Sequence, residues 1–265
     1  MNTQSIKAQL ETLGLLALAE SVSRAARERI TPSGQQARKD RERMLKFYSQ
    51  FIGPNDLAFD VGAHLGSRVE IFLELGATVV AVEPQDVCRQ RLHRHFGANS
   101  RVTIIPRALA AEAGTRILRG AASSPIASLS SEWISAVTTS GRFASDAFTR
   151  ESEIKTTTFD SLIAVFGSPR FCKIDVEGFE HVVLSGLTQP VQSLSMEFTP
   201  EHKASSDACI ERLASLGPYE FNFAVGEEFS LHQEKWLPRE AFRSVFDDFV
   251  RREPRVFGDL YARLA

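Results

Sequence analysis

Acidic and imidazole side chains lie at the ends of two predicted strands in the middle of the chain. Asp175 and Glu177 follow one apolar run, Glu197 ends the next, and His202 comes five residues later. A carboxylate or imidazole beside an acceptor can take the proton that an attacking hydroxyl releases. We therefore predict that Asp175 or Glu177 accepts a proton or orients the acceptor, with Glu197 and His202 as further catalytic candidates.

These residues also allow two other interpretations. Carboxylates at a helix N-terminus stabilise the helix through its dipole, which is a purely structural role. The four side chains could alternatively bind Mg²⁺ or Mn²⁺, which prefer oxygen ligands. Because such acids are more often hydrogen-bonded structural groups, no metal is predicted. Lys173 lies two residues before Asp175 and is expected to pair with a carboxylate there.

A second group of residues lies upstream, in the segment Leu57–Pro84. An apolar run ending at Val61 predicts a strand buried on both faces, and Gly62–Gly66 predicts a tight turn in which backbone amides can approach a ligand. Ser67 and Glu70 have the spacing of a capping box, so Ser67 is predicted to cap the following helix. These signals together predict a strand, a glycine turn and a helix.

The next predicted strand, Val79–Val82, delivers Glu83 to its carboxyl end. In an open α/β sheet ligands bind at the carboxyl ends of the strands, where an acid commonly holds ribose hydroxyls. A dinucleotide site would show G-x-G-x-x-G, but His64 occupies the second glycine position. Asp60 would repel a pyrophosphate and attract a cation, such as the sulfonium and ammonium groups of S-adenosylmethionine. An NAD-dependent oxidoreductase and a non-catalytic Rossmann-like binding module remain the alternatives.

Several strings together resemble the FkbM-type methyltransferases. They are FDVGAHLGS, VVAVEP, TTFDSL, KIDVEGFEHVVLSGL and SMEF, and they span roughly Leu57–Phe198, with GDLYA similar to the family's C-terminal ending. The KIDVEGFE string is the most specific. His64 departs from the family pattern, which often has asparagine there.

The resemblance implies a class I methyltransferase that uses S-adenosyl-L-methionine. It also implies an acceptor hydroxyl on a sugar, a glycan or a polyketide-like metabolite, and no nucleic-acid partner is expected. The predicted cofactor-binding residues share a position at or beside the strand ends; they are Asp60, Gly62, Ala63, His64, Gly66, Ser67, Glu83, Pro84 and, more weakly, Arg107 and Ala108.

Strands and helices alternate along the rest of the chain, which predicts one Rossmann-like, doubly wound α/β sheet that is mostly parallel. Methyltransferases of this class add an antiparallel seventh strand, for which Phe229–His232 is the candidate. The stretch 119–153 is rich in Ser, Ala and Thr with little periodicity, and is predicted to be a long loop that shapes specificity or lies on the surface.

Residues 1–50 are predicted to form a helical extension before a methyltransferase domain at 51–265. Ile6, Leu10, Leu13 and Leu16 give one apolar stripe, and a charged helix follows the break at Thr31–Gly34. The extension is interpreted as a cap on the sheet; the alternatives are a lid or an arm that makes a homo-oligomer.

Composition is that of an ordinary globular protein. The 265 residues are 43% hydrophobic and 24% charged, with a net charge of −2 that gives no reason to expect nucleic acid or an anionic membrane. The three cysteines are scattered and predicted to be free thiols. No N-terminal stretch has the pattern of a signal peptide, and no run approaches the roughly 18 apolar residues of a membrane span. The expected location is cytoplasmic.

Overall fold

The computed structural model describes residues 32–122, 124, 126–143 and 147–265. The strands are β1 (Leu57–Val61), β2 (Thr78–Val82), β3 (Val102–Ile105), β4 (Ala108–Leu109), β5 (Gly114–Gly120), β6 (Ala127–Ser128), β7 (Arg150–Thr157), β8 (Phe171–Ile174), β9 (Ser193–Phe198), β10 (Tyr219–Val225), β11 (Leu237–Pro238) and β12 (Gly258–Leu264). The helices are α1 (Pro32–Tyr48), α2 (Ser67–Glu74), α3 (Asp86–Phe96), α4 (Ser131–Thr139), α5 (Phe159–Phe166), α6 (Glu180–Ser185), α7 (Lys203–Leu216) and α8 (Arg239–Arg252), with a 3₁₀ turn at Pro200–His202.

Eight strands form the main sheet in the order β11-β10-β12-β9-β8-β1-β2-β3. The pairs from β9 to β3 are parallel, so the ends of β1, β2, β8 and β9 meet at one edge. Helices cover both faces, and each face has its own cluster of buried apolar residues. The predicted doubly wound, mostly parallel sheet is confirmed.

The antiparallel strand is β12, which is inserted between β9 and β10 and pairs antiparallel with both. The prediction that Phe229–His232 forms this strand is wrong. Leu260, Tyr261 and Ala262 of β12 are fully buried, as a central strand requires, whereas Phe229 has a left-handed backbone with φ of 51° and lies in a partly exposed turn.

The stretch predicted as a loop at 119–153 contains regular structure. The two ends of this stretch belong to β5 and β7 of a second sheet, whose strand order is β4-β7-β5-β6. Helix α4 lies between these two strands in the chain. Ser130 caps α4 by accepting a hydrogen bond from the Trp133 backbone N–H at 3.1 Å, and the buried side chains of Trp133 and Val137 anchor the helix. The insertion is therefore a packed wall beside the main sheet.

Helix α1 confirms the predicted charged helix but begins at Pro32, inside the break predicted at Thr31–Gly34, and its C-terminal end packs on the sheet. Phe47 and Tyr48 are buried among α2, Phe171 of β8 and Tyr261 of β12. The apolar stripe of residues 6–17 lies outside the described residues, so the cap, lid and oligomer interpretations of the extension stay predictions, as does the boundary at residue 50. Across the described ranges, no helix combines the length and the apolar character that a membrane crossing needs.

Candidate active site

The glycine turn brings two strand ends into contact. Gly62 has φ of 84°, and a Cβ built on it would lie 1.8 Å from the Asp175 carbonyl oxygen. Only glycine therefore allows the β1 end to pass this close to the β8 end. His64 also has a positive φ, 49°, in the left-handed region that histidine and asparagine tolerate better than most residues.

The helix after the turn begins differently from the prediction. Gly66, with φ of 89°, is the N-cap of α2, and no side chain caps it. The predicted capping role of Ser67 is wrong, because a left-handed glycine turns the chain so that Ser67 is already the first helical residue. Gly66 and Ser67 border a surface groove with Arg91 and His95, separate from the cleft described below.

Glu83 fastens the turn to the end of β2. Its side chain is 2% exposed, and its two carboxylate oxygens accept hydrogen bonds from the backbone N–H of His64 and of Gln85, each at 2.8 Å. Burial raises the pKa of Glu83, and these two hydrogen bonds oppose the rise. Both oxygens keep a lone pair for a further donor.

Asp60 lies within β1, two residues before Gly62. It is 2% exposed, and its Oδ2 has no hydrogen-bond partner among the described residues. Burial raises its pKa to about 7, despite the nearby cations of Lys173 and Arg68, which lower it. An unpartnered buried acid is costly, so Asp60 is an exception to the rule that buried polar groups are hydrogen-bonded.

These strand ends open into one cleft, which encloses about 750 Å³ of empty space including the part open to solvent. Its floor is the main sheet, and β4 to β6 form the apolar wall. The lining residues are Val61, Gly62, His64, Val82, Glu83, Pro84, Gln85, Ala108, Leu109, Leu118, Ile126, Ala127, Leu129, Asp175, Val176, Glu177 and Phe179. An apolar wall combined with a few convergent polar groups is typical of small-molecule sites.

The structure thus brings together part of the predicted cofactor set. Gly62, His64, Glu83, Pro84 and Ala108 line the cleft. Other predicted members do not: Asp60 and Ala63 are buried, Gly66 and Ser67 border the groove, and Arg107 is exposed.

Three of the four catalytic candidates converge. One carboxylate oxygen each of Asp175, Glu177 and Glu197 lies within 4.8 Å of the others. Burial, and then the charges of the neighbouring acids, raise the pKa of Glu177 and of Glu197 well above the ordinary value. Once ionised, these carboxylates are therefore stronger bases than ordinary ones, which suits groups that accept a proton from a substrate.

The turn after β8 is held by side chains of the inserted segment and by Glu180. Glu177 has φ of 54°, and its carbonyl accepts a 2.6 Å hydrogen bond from the hydroxyl of Ser128 in β6. Trp133 packs directly on Gly178, and Glu180 accepts hydrogen bonds from the N–H groups of Val176 and Gly178. The inserted wall thus fixes the backbone that presents Glu177.

His202 lies apart from the cleft. It lines a small cavity with Glu197, Trp133 and Thr199, and its ring centroid lies 6.2 Å from that of His181. Its Nδ1 is buried without a described partner, and burial lowers its pKa. The catalytic role predicted for His202 would need movement of the substrate or of the loop.

Comparison with protein families identifies the family to which the chain belongs. The sequence profile described as "Methyltransferase FkbM domain" matches residues 60–230, most of the chain. The chain belongs to the FkbM methyltransferase family. Its cofactor is S-adenosylmethionine, and the chain is a methyltransferase of class I. The strand order with β12 antiparallel in the sheet confirms that assignment of fold.

Solved structures show only distant similarity to this FkbM methyltransferase. The precorrin-6Y C5,15-methyltransferase of Geobacter metallireducens GS-15 is 10% identical, with 84% of this chain and 87% of that chain covered and a TM-score of 0.43. An rRNA methylase of Streptococcus thermophilus is 11% identical, with coverage of 83% and 94% and a TM-score of 0.39. Cofactor-bound Rv0187 from MTB is 11% identical, with coverage of 100% and 98% and a TM-score of 0.42. No curated protein matches the chain in sequence.

The buried acid Asp60 gives a testable pH dependence of stability. Its folded pKa of about 7 is raised above the ordinary 3.8, so between these values the folded state keeps a proton that the unfolded chain releases. The free energy of unfolding should therefore fall as pH rises from about 4 to 7. Asp60→Asn is expected to remove that part of the decline, on the order of 2 to 4 kcal/mol. Urea unfolding of both proteins at pH 4.5, 6 and 8 measures it; parallel curves would contradict the expectation.

Proposed function

We propose that this FkbM methyltransferase transfers the methyl group of S-adenosylmethionine to a hydroxyl of a sugar, glycan or polyketide-like metabolite, giving a methyl ether. The observation that carries the proposal is the carboxylate cluster beside the cofactor cleft. An attacking hydroxyl must lose its proton, and Glu177 has a pKa raised toward the range in which a carboxylate is an effective base. The net charge of −2 and the acidic floor both disfavour a nucleic-acid acceptor.

The residues present fit the cofactor. The glycine turn and Glu83 offer a nucleoside site, since a carboxylate at the β2 end can accept hydrogen bonds from ribose hydroxyls. Asp175, whose side chain is 36% exposed, gives a negative charge for the ammonium and sulfonium end. When bound, the cofactor supplies an activated methyl group for a single displacement.

The protein residues then have separate roles in the proposed reaction. The turn and Glu83 orient the nucleoside, Asp175 stabilises the positive end, and Glu177 takes the proton of the acceptor hydroxyl at its carboxylate. Glu197, within 4.8 Å of both acids, orients that hydroxyl. The apolar wall of Leu118 and Leu129 keeps water from one side of the cleft.

Cofactor binding is the first test. Calorimetric titration with S-adenosylhomocysteine should show binding, and NAD in parallel should not bind. Glu83→Gln is expected to weaken the first affinity by about ten- to hundredfold, because the substitution presents a buried amide where charged oxygens accept two backbone hydrogen bonds. Glu112→Gln removes an exposed carboxylate and should keep wild-type affinity. Tight NAD binding would contradict the assignment.

The acceptor class needs a separate experiment. Purified protein and methyl-labelled S-adenosylmethionine are incubated with monosaccharides, oligosaccharides, polyketide-like alcohols and an RNA mixture. We expect label only in hydroxylated metabolites, as an ether that resists alkaline hydrolysis. Label in RNA, or on carbon, would overturn the proposed acceptor and leave the methyltransferase assignment intact.

A further inference from the structure

Lys173 is a buried cation placed between two carboxylates under the cleft. It is 2% exposed, and its Nζ lies 2.8 Å from Asp259 Oδ1 and 3.2 Å from Asp175 Oδ2. Burial alone would lower its pKa, but these two acids raise the pKa of Lys173 well above its ordinary value. Lys173 is therefore a fixed positive charge, and its closer contact is with Asp259.

Asp259 comes from the C-terminal strand, beyond the residues that match the family profile. It is the second residue of β12 and is paired across the sheet with Glu197. Its other carboxylate oxygen accepts a hydrogen bond from the Tyr261 hydroxyl at 3.4 Å. The second cation on this side, Arg68, pairs with Glu227 at 3.4 Å, and the charges of Asp259 and Asp175 also raise its pKa. Asp259 is thus the anion held closest to Lys173.

Asp175 and Asp259 differ in how far their side chains are exposed, and only Asp175 lines the cleft. The Asp175 side chain is 36% exposed and lines the cleft, whereas that of Asp259 is 13% exposed. If Lys173 had Asp175 as its sole counter-ion, the two charges would cancel at the cleft floor. With Asp259 as a second anion, the group of three carries a net charge of −1, and the acid facing the cleft remains attractive to a cation.

We propose that Asp259 is a positioning residue that neutralises Lys173, so that the charge of Asp175 favours the sulfonium form of the cofactor over its uncharged thioether product. The inference rests on the proposed function, in which Asp175 faces the positive end of the cofactor. It adds a residue from the C-terminal strand to the electrostatics of the methyl donor site, and it gives the site a means of releasing product after the positive charge is lost.

The ratio of the affinities for S-adenosylmethionine and S-adenosylhomocysteine tests this directly, because the two ligands differ by a methyl group and one positive charge. Asp259→Asn removes an anion and should shift the ratio toward S-adenosylhomocysteine by about three- to tenfold. Lys173→Met removes a cation and should shift it the other way by a similar factor. The double variant Lys173→Met/Asp259→Asn has the wild-type net charge and should return the ratio to within about twofold. A merely structural defect would weaken both ligands equally.

Matched controls lie on β12 itself and on the neighbouring strand β10. Arg263 and Glu220 form an ion pair of 2.9 Å, and Arg263 is four residues beyond Asp259, or about 13 Å along the strand. Arg263→Met and Glu220→Gln change the same charges there and should leave the ratio unchanged. Lys173→Met leaves two acids unpaired and can fail to fold, but Asp259→Asn and the double variant still test the sign.

The outcomes separate the two proposals. Opposite shifts in the two single variants support the role of Asp259. Equal losses for both ligands, or a ratio that moves less than twofold in Asp259→Asn, overturn it while cofactor binding stands. Failure of wild-type protein to bind either ligand overturns the proposed function itself.

Discussion

Gly62→Ala is expected to abolish measurable binding of S-adenosylhomocysteine and to lower the free energy of unfolding by about 2 to 5 kcal/mol. Alanine at φ of 84° costs about 1 to 2 kcal/mol by itself. Its methyl group would also lie 1.8 Å from the Asp175 carbonyl oxygen, so β1 and β8 must separate. That separation displaces the turn that binds the cofactor and the acid beside it, and calorimetry together with urea unfolding measures the two effects.

Gly226→Ala is the matched control for the backbone cost. Gly226 also has a positive φ, 50°, but no atom of the described residues lies within 4 Å of a Cβ built there. This variant should lose only about 1 kcal/mol and keep its affinity for S-adenosylhomocysteine. Similar affinities in Gly62→Ala and Gly226→Ala would show that close approach of the two strands does not hold the cofactor site.

The parts of the fold that could be predicted depend on short stretches of sequence. The β1 strand, the glycine turn and Glu83 lie within 27 residues, from Leu57 to Glu83, and each one's signal is local. Burial on both faces makes parallel strands read as continuous apolar runs, so the alternation with helices was also visible. The location of Asp175 and Glu177 followed because the ends of parallel strands share one edge.

What sequence reasoning missed depends on contacts between distant segments. Trp133 and Ser128 looked like parts of a loop, since their burial comes from packing against Gly178 and Glu177, about 50 residues away. The sequence predicts the antiparallel strand at Phe229–His232, whereas β12 forms it, because pairing with β9 and β10 depends on the whole sheet and not on the strand alone. Neither the packing of Trp133 and Ser128 nor the pairing of β12 is indicated by a local motif of Cys, His or Gly residues.

Within the site, the sequence predicts which residues form ion pairs better than it predicts where the side chains lie. The expected pairing of Lys173 with a carboxylate is confirmed for Asp175. Asp259 lies 86 residues away, and the GDLYA string that contains it does not indicate a pairing with Lys173. His202 follows Glu197 closely in sequence, yet the 3₁₀ turn at Pro200–His202 takes it into another cavity. The three free cysteines are confirmed and buried.

Glu177→Gln is expected to lower the turnover of the hydroxylated acceptor by about 10² to 10⁴, the range that a positioned general base contributes. The change keeps the shape of the side chain but removes the proton acceptor, so affinity for S-adenosylhomocysteine should stay within about threefold. Because burial raises the pKa of Glu177, wild-type turnover should increase with pH as this carboxyl ionises. The glutamine variant should lose that increase.

Initial rates over pH 5 to 9, with the acceptor that the labelling screen identifies, measure both effects. Glu132→Gln is the matched control, since Glu132 is an exposed acid on α4, next to the residue that packs on the Glu177–Gly178 turn. It should keep wild-type rates and the wild-type pH profile. Retention of more than half of the turnover in Glu177→Gln would contradict the assignment of Glu177 as the base.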